Sequence, residues 1–516
     1  MDSANRLQLF PLPRPLLSLM AVSALIFLGC STLRHGLFRS TVFDLGIYDQ
    51  VTYLISQGQS PLSSILGFHH LGNHAAWAVY PLALLYKLTP NVHWLLLVQV
   101  LALAIGTWPV WNLSRLSGLS EKYAGVMALV YLLYPVIFNV NLFDFHPEVM
   151  ALPAILGAIL AAKLRQVLWF TVAILWVVGC KAVLSLTVAG LGFWLLTTEK
   201  RRVCGVLGLI VGVSWFLIAT QKVIPAYSGS EVAGVWRYTY LGDSVLEILV
   251  NLLLKPGLVL GKVFAWSTLQ YLLLISLPVI WGVIPLWKSS KGAGVTWFYN
   301  WAPLMAALPT LVINILSDVS FQRSLSYQYS LPVIPFLLLV VIQSLSTAEE
   351  VILEDKSLLI GESKSGNNLE ENPKKIEENL FNVKLPKLIL LWSLLMFLVL
   401  AKPVRLLLYF QTLDTWQASR IAITQVPPEH QVLTDNFLGA HLSQRPVLKL
   451  LSQVTPDSDL TEFDTIILNL RHPWPDTQEL GEIISEKLTE WPGFELIFDQ
   501  DDVKVWQKNS ESTREN

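Results

Sequence analysis

The first long apolar run of the chain, residues 15–33, reads PLLSLMAVSALIFLGCSTL, and residues 40–50 soon after it read STVFDLGIYDQ. The first stretch is long enough to cross the roughly 30 Å hydrocarbon core of a bilayer as a helix. The second places two carboxylates, Asp44 and Asp49, in the loop that follows. Carboxylates beside a bilayer are costly to desolvate unless a cation or hydrogen bonds compensate. One interpretation is a functional acidic site; the other is that Asp44 caps an interfacial helix and water solvates both groups.

The composition is typical of a membrane protein. Of the 516 residues, 53% are hydrophobic and 14% are charged, and the mean hydropathy is +0.51. The three cysteines, Cys30, Cys180 and Cys204, lie in or beside apolar runs without metal-type spacing, so they predict neither disulfides nor a metal site. Arg34 and His35 follow the first apolar run where a cleavable leader would have a small-residue junction, which predicts an uncleaved first span.

About eleven apolar runs are predicted to cross the membrane. Lysines and arginines fall in every second loop between these runs, which places those loops and the N-terminus in the cytoplasm. Because the number of spans is odd, the C-terminus is predicted on the opposite face. The predicted spans are 15–33, 93–114, 123–142, 148–163, 167–180, 183–198, 203–222, 266–287, 295–316, 328–346 and 388–410.

Two shorter apolar stretches lie in the loops that this topology places outside. Residues 74–88, HAAWAVYPLALLYKL, would invert every later loop if they crossed, so they are predicted to lie on the membrane surface. VLEILVNLLLKPG in the next outer loop is predicted to form a second interfacial helix. The predicted organisation is a membrane domain at 1–346 with outer loops 34–92 and 223–265, a polar cytoplasmic linker at 347–387, a last transmembrane helix at 388–411 and an extracytoplasmic α/β domain at 412–516.

The tail after residue 411 differs from the rest of the chain. It carries 18 acidic and 8 basic residues, a net charge of about −10, whereas the remaining chain carries about +8, which suits contact with anionic headgroups. Short apolar segments at 431–434, 446–451, 465–470 and 495–499 predict strands, and a hairpin through Asp501 and Asp502 leads to VKVW. Helical patterns at 436–443 and 478–490 separate some of these strands. The tail therefore predicts a small α/β domain without a catalytic motif.

Polar side chains collect at four places predicted to face outward, and each group has a plain alternative. The histidines are typical of hydrogen-bonded interfacial residues, Arg323 could be a snorkelling arginine, and Lys181 could simply mark a helix end. Asp144 and Glu148 are harder to dismiss, because ionisable groups at the hydrocarbon boundary indicate function. The four groups are Asp44 and Asp49; His69, His70 and His74; Asp144, His146 and Glu148; and Arg323, Tyr327 and Tyr329.

Carboxylate and imidazole groups in neighbouring loops form a reasonable ligand set for Mg²⁺ or Mn²⁺, so a divalent cation is predicted as a cofactor, although no motif has tight metal spacing. His74 and the group at 144–148 would hold the cation or orient the substrate. Arg323 is the best candidate for an anion contact, since a guanidinium pairs in a fork with phosphate, and Lys181 could assist it.

The order of motifs resembles a known membrane family. FDLGIYDQ at 43–50 is followed by NHAAWAVYPLALLY, LVQVLALAIGTWPVW, the FDFHPE loop at 143–148, YQYSLPVIPFLL and, in the tail, LTDNFLGAHLSQRPVLKL. This series is similar to the family catalogued as domain of unknown function 2079, over roughly 25–350 and 412–475. Where the family frequently has Lys-Glu-Asp, this chain has Lys181, Ala182 and Val183, so the two acidic residues of the family pattern are missing.

The family is grouped with the fold of the family-C glycosyltransferases, which use polyprenyl-phosphate sugar donors. This resemblance implies an essential acidic residue in the first outer loop, Asp44 or Asp49, and a second in the next, Asp144 or Glu148. The leading hypothesis is therefore a plasma-membrane glycosyltransferase that moves a sugar from a lipid-phosphate donor to an acceptor at the outer face, with Tyr327 beside the donor and no nucleic-acid partner.

Two other classes of function stay open at this stage. One is a transporter or flippase of lipid-linked intermediates, although no inverted repeat or charged residue at the centre of a span supports it. The other is an inactive scaffold that presents its tail, which Ala182 would favour.

Overall fold

The computed structural model describes residues 9–283, 299–362 and 384–509. Most of this chain is helical. The described α-helices are Arg14–Gly36, Ile47–Ser56, Leu71–His74, Ala83–Tyr86, His93–Ile105, Thr107–Leu116, Glu121–Leu132, Pro135–Asn141, Glu148–Lys163, Val167–Cys180, Leu184–Thr197, Arg202–Ile218, Ile224–Ser228, Val245–Leu254, Pro256–Val263, Trp266–Ser276, Ile280–Val283, Leu304–Leu316, Ile334–Glu362, Leu385–Leu400, Arg405–Leu408, Trp416–Thr424 and Gln478–Glu490.

Among the described residues, six helical stretches are long and apolar enough to cross a membrane, or seven if a pair of helices bent by 44° at Leu133–Tyr134 counts as one broken span. The protein is therefore a multi-helix membrane protein. The six stretches are Arg14–Gly36, His93–Leu116, Arg202–Ser228, Trp266–Val283, Gln328–Glu349 and Leu385–Thr412.

Several predicted spans form shorter helices. Val167–Cys180 and Leu184–Thr197 have 14 residues each, about 21 Å of helix, which is less than the hydrocarbon thickness. Parts of the predicted spans 266–287 and 295–316 lie outside the described residues. The total of eleven spans thus stays a prediction.

The predicted linker begins inside a helix. Ile334–Glu362 continues past residue 347, because 351–360, VILEDKSLLI, contains neither glycine nor proline. The rest of the predicted linker, 363–383, lies outside the described residues.

Small residues bring two helices of the membrane region into backbone contact. A Cβ added at Gly192 would lie 2.4 Å from the Leu209 amide nitrogen, and one added at Gly212 would lie 2.5 Å from the Ser185 carbonyl oxygen. Glycine at such positions permits the close approach by which apolar helices associate in lipid. The contact fixes the helix Leu184–Thr197, and with it the turn that carries Lys181 just before this helix.

The two short apolar stretches form short helices. In the first loop, the run 74–88 becomes a 3₁₀-helix, Trp77–Leu82, followed by Ala83–Tyr86. In the later loop, Val245–Leu254 and Pro256–Val263 are separate helices, because Pro256 begins the second one instead of only closing the first. Leu253 and Phe264 are each 82% exposed there, so this hairpin offers an apolar face.

The first loop contains a small hairpin, β1 (Leu62–Ser63) and β2 (Phe68–His69). The tail contains five strands, β3 (Val432–Thr434), β4 (Leu448–Leu450), β5 (Thr465–Asn469), β6 (Phe494–Gln500) and β7 (Val503–Lys508). They form a mixed sheet in the order β4-β3-β5-β7-β6, in which β3, β4 and β5 are parallel and β5, β7 and β6 are antiparallel. Each strand overlaps a predicted one, and Gln478–Glu490 matches the predicted helix, whereas 436–443 forms only the 3₁₀-helix Leu438–His441.

One face of this sheet packs on the first long loop instead of forming an isolated core. Val42, Ile47 and Ile65 of the loop are at most 4% exposed and belong to the same apolar cluster as Leu438 and Val505 of the tail. Burying several such side chains stabilises the contact, at roughly 1.5–3 kcal/mol for each. The first loop and the tail therefore form one packed unit.

Candidate active site

Asp44 lies in a single π-helical turn, Val42–Gly46, directly before the helix Ile47–Ser56. Turns of this kind are rare and concentrate at functional sites. The Asp44 side chain is 27% exposed, and its Oδ1 lies 2.9 Å from Nε2 of His146 in the FDFHPE loop. The turn thus presents a carboxylate that is partly open to solvent and is held by an imidazole from a different loop.

His146 is buried, with 3% of its side chain exposed, and its ring stacks on Phe143 at 5.1 Å between centroids. Burial alone would lower the pKa of the imidazole, but the Asp44 carboxylate and, to a lesser degree, Glu148 outweigh burial and raise the pKa above its usual value. The Asp44 carboxylate therefore favours the protonated form of its imidazole partner.

Glu148 is the first residue of the helix Glu148–Lys163, and its carboxylate accepts a hydrogen bond of 2.6 Å from Lys181. Lys181 lies in extended conformation directly after the helix Val167–Cys180, and its Nζ lies 6.0 Å from the centre of the Tyr329 ring. The Ala182 amide also donates to the His74 carbonyl, which joins this turn to the first loop.

Tyr48 shows that the two loops converge. Burial raises the pKa of its phenol well above the usual value, and the nearby Glu148 and Asp44 carboxylates raise it further. Its ring packs edge-on against Phe145 at 5.5 Å. Acidic groups from two separate segments, Asp44 and Glu148, therefore lie near one buried tyrosine.

Asp144 has a structural role, because its carboxylate contacts the end of the first helix and the start of the first loop. Its carboxylate pairs with Arg34 at the end of the first helix and accepts hydrogen bonds of 3.0 Å from both the amide and the hydroxyl of Thr41. Only 2% of Asp144 is exposed, and its φ of 80° lies in the left-handed region. The residue ties the two loops together and offers no free oxygen face to a substrate.

Asp49 does not lie with Asp44 either. It is 2% exposed, and its carboxylate accepts hydrogen bonds from Tyr86 (2.6 Å), Ser443 (2.6 Å) and Gln444 (3.0 Å). Burial raises its pKa, and these three hydrogen bonds offset part of that rise. The structure thus turns Asp49 toward the tail, whereas Asp44 faces His146.

Arg323 contacts backbone carbonyls through one of its nitrogens, Nη1. Its guanidinium donates to the carbonyls of Asn314 and Ser317, at the C-terminal end of the helix Leu304–Leu316. Those carbonyls have no partner within the helix, so Arg323 acts as a cap. Tyr327 packs edge-on against Phe143 at 4.5 Å, one ring away from His146.

The three histidines of the first loop have different surroundings. His70 is buried and contacts the Ala76 carbonyl at 3.1 Å, and His69 stacks on Tyr227 at 4.3 Å. Burial lowers the pKa of His74 well below its usual value, and the nearby cations Lys181 and Arg237 lower it further. Of the three, His74 is the one beside the cations of the site.

Arg237 is a candidate that the sequence does not single out. Its guanidinium lies 5.3 Å from the centre of each of two rings, Tyr329 and Phe321, and its Nε is buried without a hydrogen-bond partner. Within the described ranges, no carboxylate pairs with it, in contrast to Lys181 and Arg34. The local signal, an arginine between Trp236 and Tyr238, is too short to stand out among loop residues.

The predicted divalent cation finds no ligand set in this arrangement. Among the residues described, no group of three or more His, Cys, Asp and Glu side chains could hold a metal ion. The carboxylates that the sequence offers as ligands each pair with a basic side chain of the protein itself: Asp44 with His146, Asp144 with Arg34, and Glu148 with Lys181. These donors do not fit a metal centre, so we derive no step through one.

The fold is similar to that of solved membrane proteins. The crystal structure of ArnT from Cupriavidus metallidurans bound to undecaprenyl phosphate matches with a TM-score of 0.54 and 12% identity, over 96% of this chain and 98% of that chain. The crystal structure of the same protein in the apo state matches with a TM-score of 0.53 and 13% identity, over 96% of this chain and 98% of that chain. A third match is the archaeal oligosaccharyltransferase AglB from Archaeoglobus fulgidus in complex with an inhibitory peptide and a dolichol-phosphate. Its TM-score is 0.36 and its sequence identity 11%, over 98% of this chain and 75% of that chain.

The likeness to ArnT over nearly the whole of both chains confirms the predicted similarity to the family-C glycosyltransferase fold. None of the curated proteins matches the sequence significantly. A family model described as "Predicted membrane protein (DUF2079)" matches residues 34–505, which include the Asp44 turn, the FDFHPE loop and most of the tail. The chain therefore belongs to the DUF2079 family of membrane proteins.

Proposed function

We propose that the protein is a membrane glycosyltransferase that moves a sugar from a polyprenyl-phosphate donor to an acceptor hydroxyl. The observation that carries the proposal is that a partly exposed carboxylate, Asp44, lies near Tyr48, that two cations, Lys181 and Arg237, lie near Tyr329, and that the two tyrosines are close enough to interact. Such a site has a base on one side and anion-binding groups on the other. The ArnT structure of similar fold is bound to undecaprenyl phosphate, which supports a donor of this class.

Asp44 would act as the general base. It would accept the proton of the acceptor hydroxyl while the oxygen attacks the anomeric carbon and the bond from that carbon to the phosphate oxygen breaks. One displacement of this kind inverts the anomeric configuration. The 2.9 Å contact with His146 would hold the carboxylate in position, and holding the two reactants in line would supply much of the rate.

The leaving polyprenyl phosphate carries the negative charge that develops in this step. Arg237 has no carboxylate partner among the described residues, and a guanidinium can pair with phosphate through two parallel hydrogen bonds. Lys181, shared with Glu148, would add a second positive charge, and fixed cations of this kind stabilise charge as it forms. Nη1 of Arg323 donates to backbone carbonyls, and for this reason we assign the phosphate contact to Arg237 instead of Arg323.

We also propose the orientation in which the lysine- and arginine-rich loops face the cytoplasm. The N-terminus would then be cytoplasmic, and the Asp44 site and the tail would face the outside of the plasma membrane. The donor would reach the site from the lipid phase, with its phosphate at the membrane boundary.

The direct test is transfer of a labelled sugar from a polyprenyl-phosphate donor by purified protein in the presence of candidate acceptors. Asp44→Asn should lower the rate by about 10²–10⁴-fold, the usual contribution of a positioned general base. Asp243→Asn is the matched control, because Asp243 is an exposed carboxylate of the 223–265 loop. Equal rates for both variants would contradict the role of Asp44. Transport of a lipid-linked sugar across liposomes without a covalent product would contradict the transferase assignment itself.

A further inference from the structure

We propose that the tail segment 435–445, here called the clamp, positions the Asp44 carboxylate for reaction. This segment lies within LTDNFLGAHLSQRPVLKL, a motif that the transfer mechanism does not use. The inference rests on the proposed function for its catalytic part, but its structural part can be tested without activity. The clamp contacts the Asp44-bearing segment at two points, one on either side of Asp44.

The first point lies two residues before Asp44. The Val42 amide donates to the side-chain oxygen of Asn436 at 2.9 Å and to its backbone carbonyl at 3.1 Å. An amide in the first turn of a helix has no acceptor within that helix, so the clamp supplies it. Gly439 also lies against Val42, since a Cβ added there would meet Val42 Cγ2 at 2.5 Å.

The second point lies one turn and more after Asp44. Ser443 and Gln444 donate to the Asp49 carboxylate at 2.6 and 3.0 Å, and Gln50 donates to the Arg445 carbonyl at 3.0 Å. Except for the half-buried Gln444, these donors and acceptors are buried, so leaving either side unpaired would cost the desolvation of a polar group. Asp49 is thus the anchor by which the clamp holds the helix Ile47–Ser56.

The clamp is itself held at both ends. The Asp435 carboxylate accepts hydrogen bonds from the amides of Phe437 (2.8 Å), Leu438 (2.9 Å) and Asn469 (3.0 Å), which fix its start to strand β5. At the other end, Arg445 donates to the carbonyls of Pro427 (3.2 Å) and His430 (3.0 Å). A segment restrained in this way can hold a neighbouring turn to within a fraction of an ångström.

Asp44 does not touch the clamp, and its hydrogen-bond partner is His146 of the other loop. The direction of the carboxylate is therefore set by the backbone from Val42 to Asp49, which the clamp holds on both sides. A displacement of about 1 Å in a reacting group can lower a rate by about a hundredfold. The clamp residues are positioning residues, since they act through Asp44 and not on the substrate.

The experiment uses Gly439→Ala in the full chain. The added methyl should displace Val42 and the π-helical turn, since Val42 Cγ2 is the nearest atom at 2.5 Å. Val42→Ala in the same chain should relieve this closest contact and leave Thr434 Cγ2, at 2.9 Å, as the remaining close neighbour. Gly481→Ala is the matched control in the tail, because its Cβ would meet no atom closer than 3.5 Å. Ser443→Ala provides a milder second variant, which removes one hydrogen bond to Asp49 and leaves the backbone unstrained.

Two readouts separate this inference from the proposed function. The first is amide hydrogen exchange of the peptide 42–50, which should be faster in Gly439→Ala and Ser443→Ala, unchanged in Gly481→Ala, and slower in the double variant than in Gly439→Ala alone. The second is the transfer reaction, where kcat should fall about tenfold to a hundredfold in Gly439→Ala with little change in the KM for the donor, and recover in part in the double variant.

Unchanged exchange at 42–50 in both Gly439→Ala and Ser443→Ala would overturn the clamp, whatever the activity. Faster exchange with an unchanged kcat would also overturn it, because the restraint would then have no effect on Asp44. If the unaltered protein transfers no sugar, the proposed function fails, and the exchange data still decide whether the clamp orders this segment. If Gly439→Ala does not fold, Ser443→Ala decides the question.

Discussion

At the scale of single residues, the two arginines near the candidate site have opposite surroundings. Arg237 lies over aromatic rings with a buried Nε that has no acceptor, whereas Arg323 donates to carbonyls at a helix end. The sequence pattern favours Arg323 as the anion contact and does not single out Arg237, although guanidinium chemistry is the same in both. Their environments predict different consequences when the charge is removed.

Arg237→Gln should weaken binding of polyprenyl phosphate by about tenfold to a hundredfold, which corresponds to about 1.5–3 kcal/mol for a hydrogen bond to a charged group. Arg323→Gln should instead lower the unfolding temperature and leave the affinity unchanged, because it removes a helix cap. Affinity can be measured by titrating the lipid into detergent-solubilised protein, and stability by thermal unfolding. Equal losses of affinity in the two variants would contradict this division of roles.

The two carboxylates of the first loop, Asp44 and Asp49, predict an acidic site, but the sequence does not say which of them is the catalytic base. Asp44 meets His146, which is 102 positions away in the chain, and Asp49 meets Ser443, which is 394 positions away. Separations of this size are invisible to helical periodicity or local spacing. The assignment therefore depends on packing, and on this basis we propose Asp44 as the base and Asp49 as an anchor.

At the scale of elements, the end of the first helix meets the tail through histidines. The rings of His35, in the last turn of Arg14–Gly36, and His441, in the 3₁₀-helix Leu438–His441, are stacked with centroids 4.0 Å apart. Phe38 packs on the other side of this contact, and His93 and Arg34 face His35. The groups around the pair are therefore apolar or basic, and neither of these stabilises a protonated imidazole.

Burial lowers the pKa of His441 from 6.5 to about 4, because the surroundings disfavour the charged ring. The unfolded chain thus binds a proton that the folded chain does not bind between pH 6.5 and 4. The contribution to stability is fully present above pH 6.5 and is lost as the pH falls toward 4, by up to about 1.4 kcal/mol for each pH unit.

Thermal unfolding measured between pH 7.5 and 4.5 should show this dependence, and His441→Asn should reduce its slope. His472→Asn is the control, since His472 is partly exposed and pairs with Asp414 at the surface. A slope that stays the same in the His441 variant would show that another group causes the loss.

Element boundaries show where local patterns are sufficient. The strands of the tail and the helix Gln478–Glu490 lie where alternation and apolar periodicity predict them, because each is formed by short-range rules. Local patterns do not predict the break at Lys255 that separates the helices Val245–Leu254 and Pro256–Val263. Pro256 can close one helix or open another, and the structure shows that it opens Pro256–Val263.

At the scale of the whole molecule, the tail and the first loop share one apolar core. A chain that ends at residue 411 would expose Val42, Ile47 and Ile65, which are buried here, and would leave the Asp49 carboxylate with one of its three partners. Losing the burial of three such side chains would cost on the order of 5 kcal/mol.

The truncated chain should therefore show fast amide exchange throughout residues 40–70 and should aggregate in detergent. Size-exclusion chromatography and hydrogen exchange test this expectation, and adding the separately produced tail should restore part of the protection. Full protection of the helix Ile47–Ser56 without the tail would show that the first loop folds independently.

The amino-acid sequence was sufficient to predict a helical membrane protein, a strand-rich tail and acidic groups in two loops. Apolar runs, alternation and loop charge report on neighbours within a few residues, and these are the interactions that decide local helices and strands. The tertiary structure alone paired Asp44 with His146, turned Asp49 to the tail, joined Nη1 of Arg323 to backbone carbonyls and, within the part of the chain that is described, left Arg237 without a carboxylate. Those outcomes depend on which side chains the fold brings within about 3 Å, and distant segments meet only after the whole chain has packed.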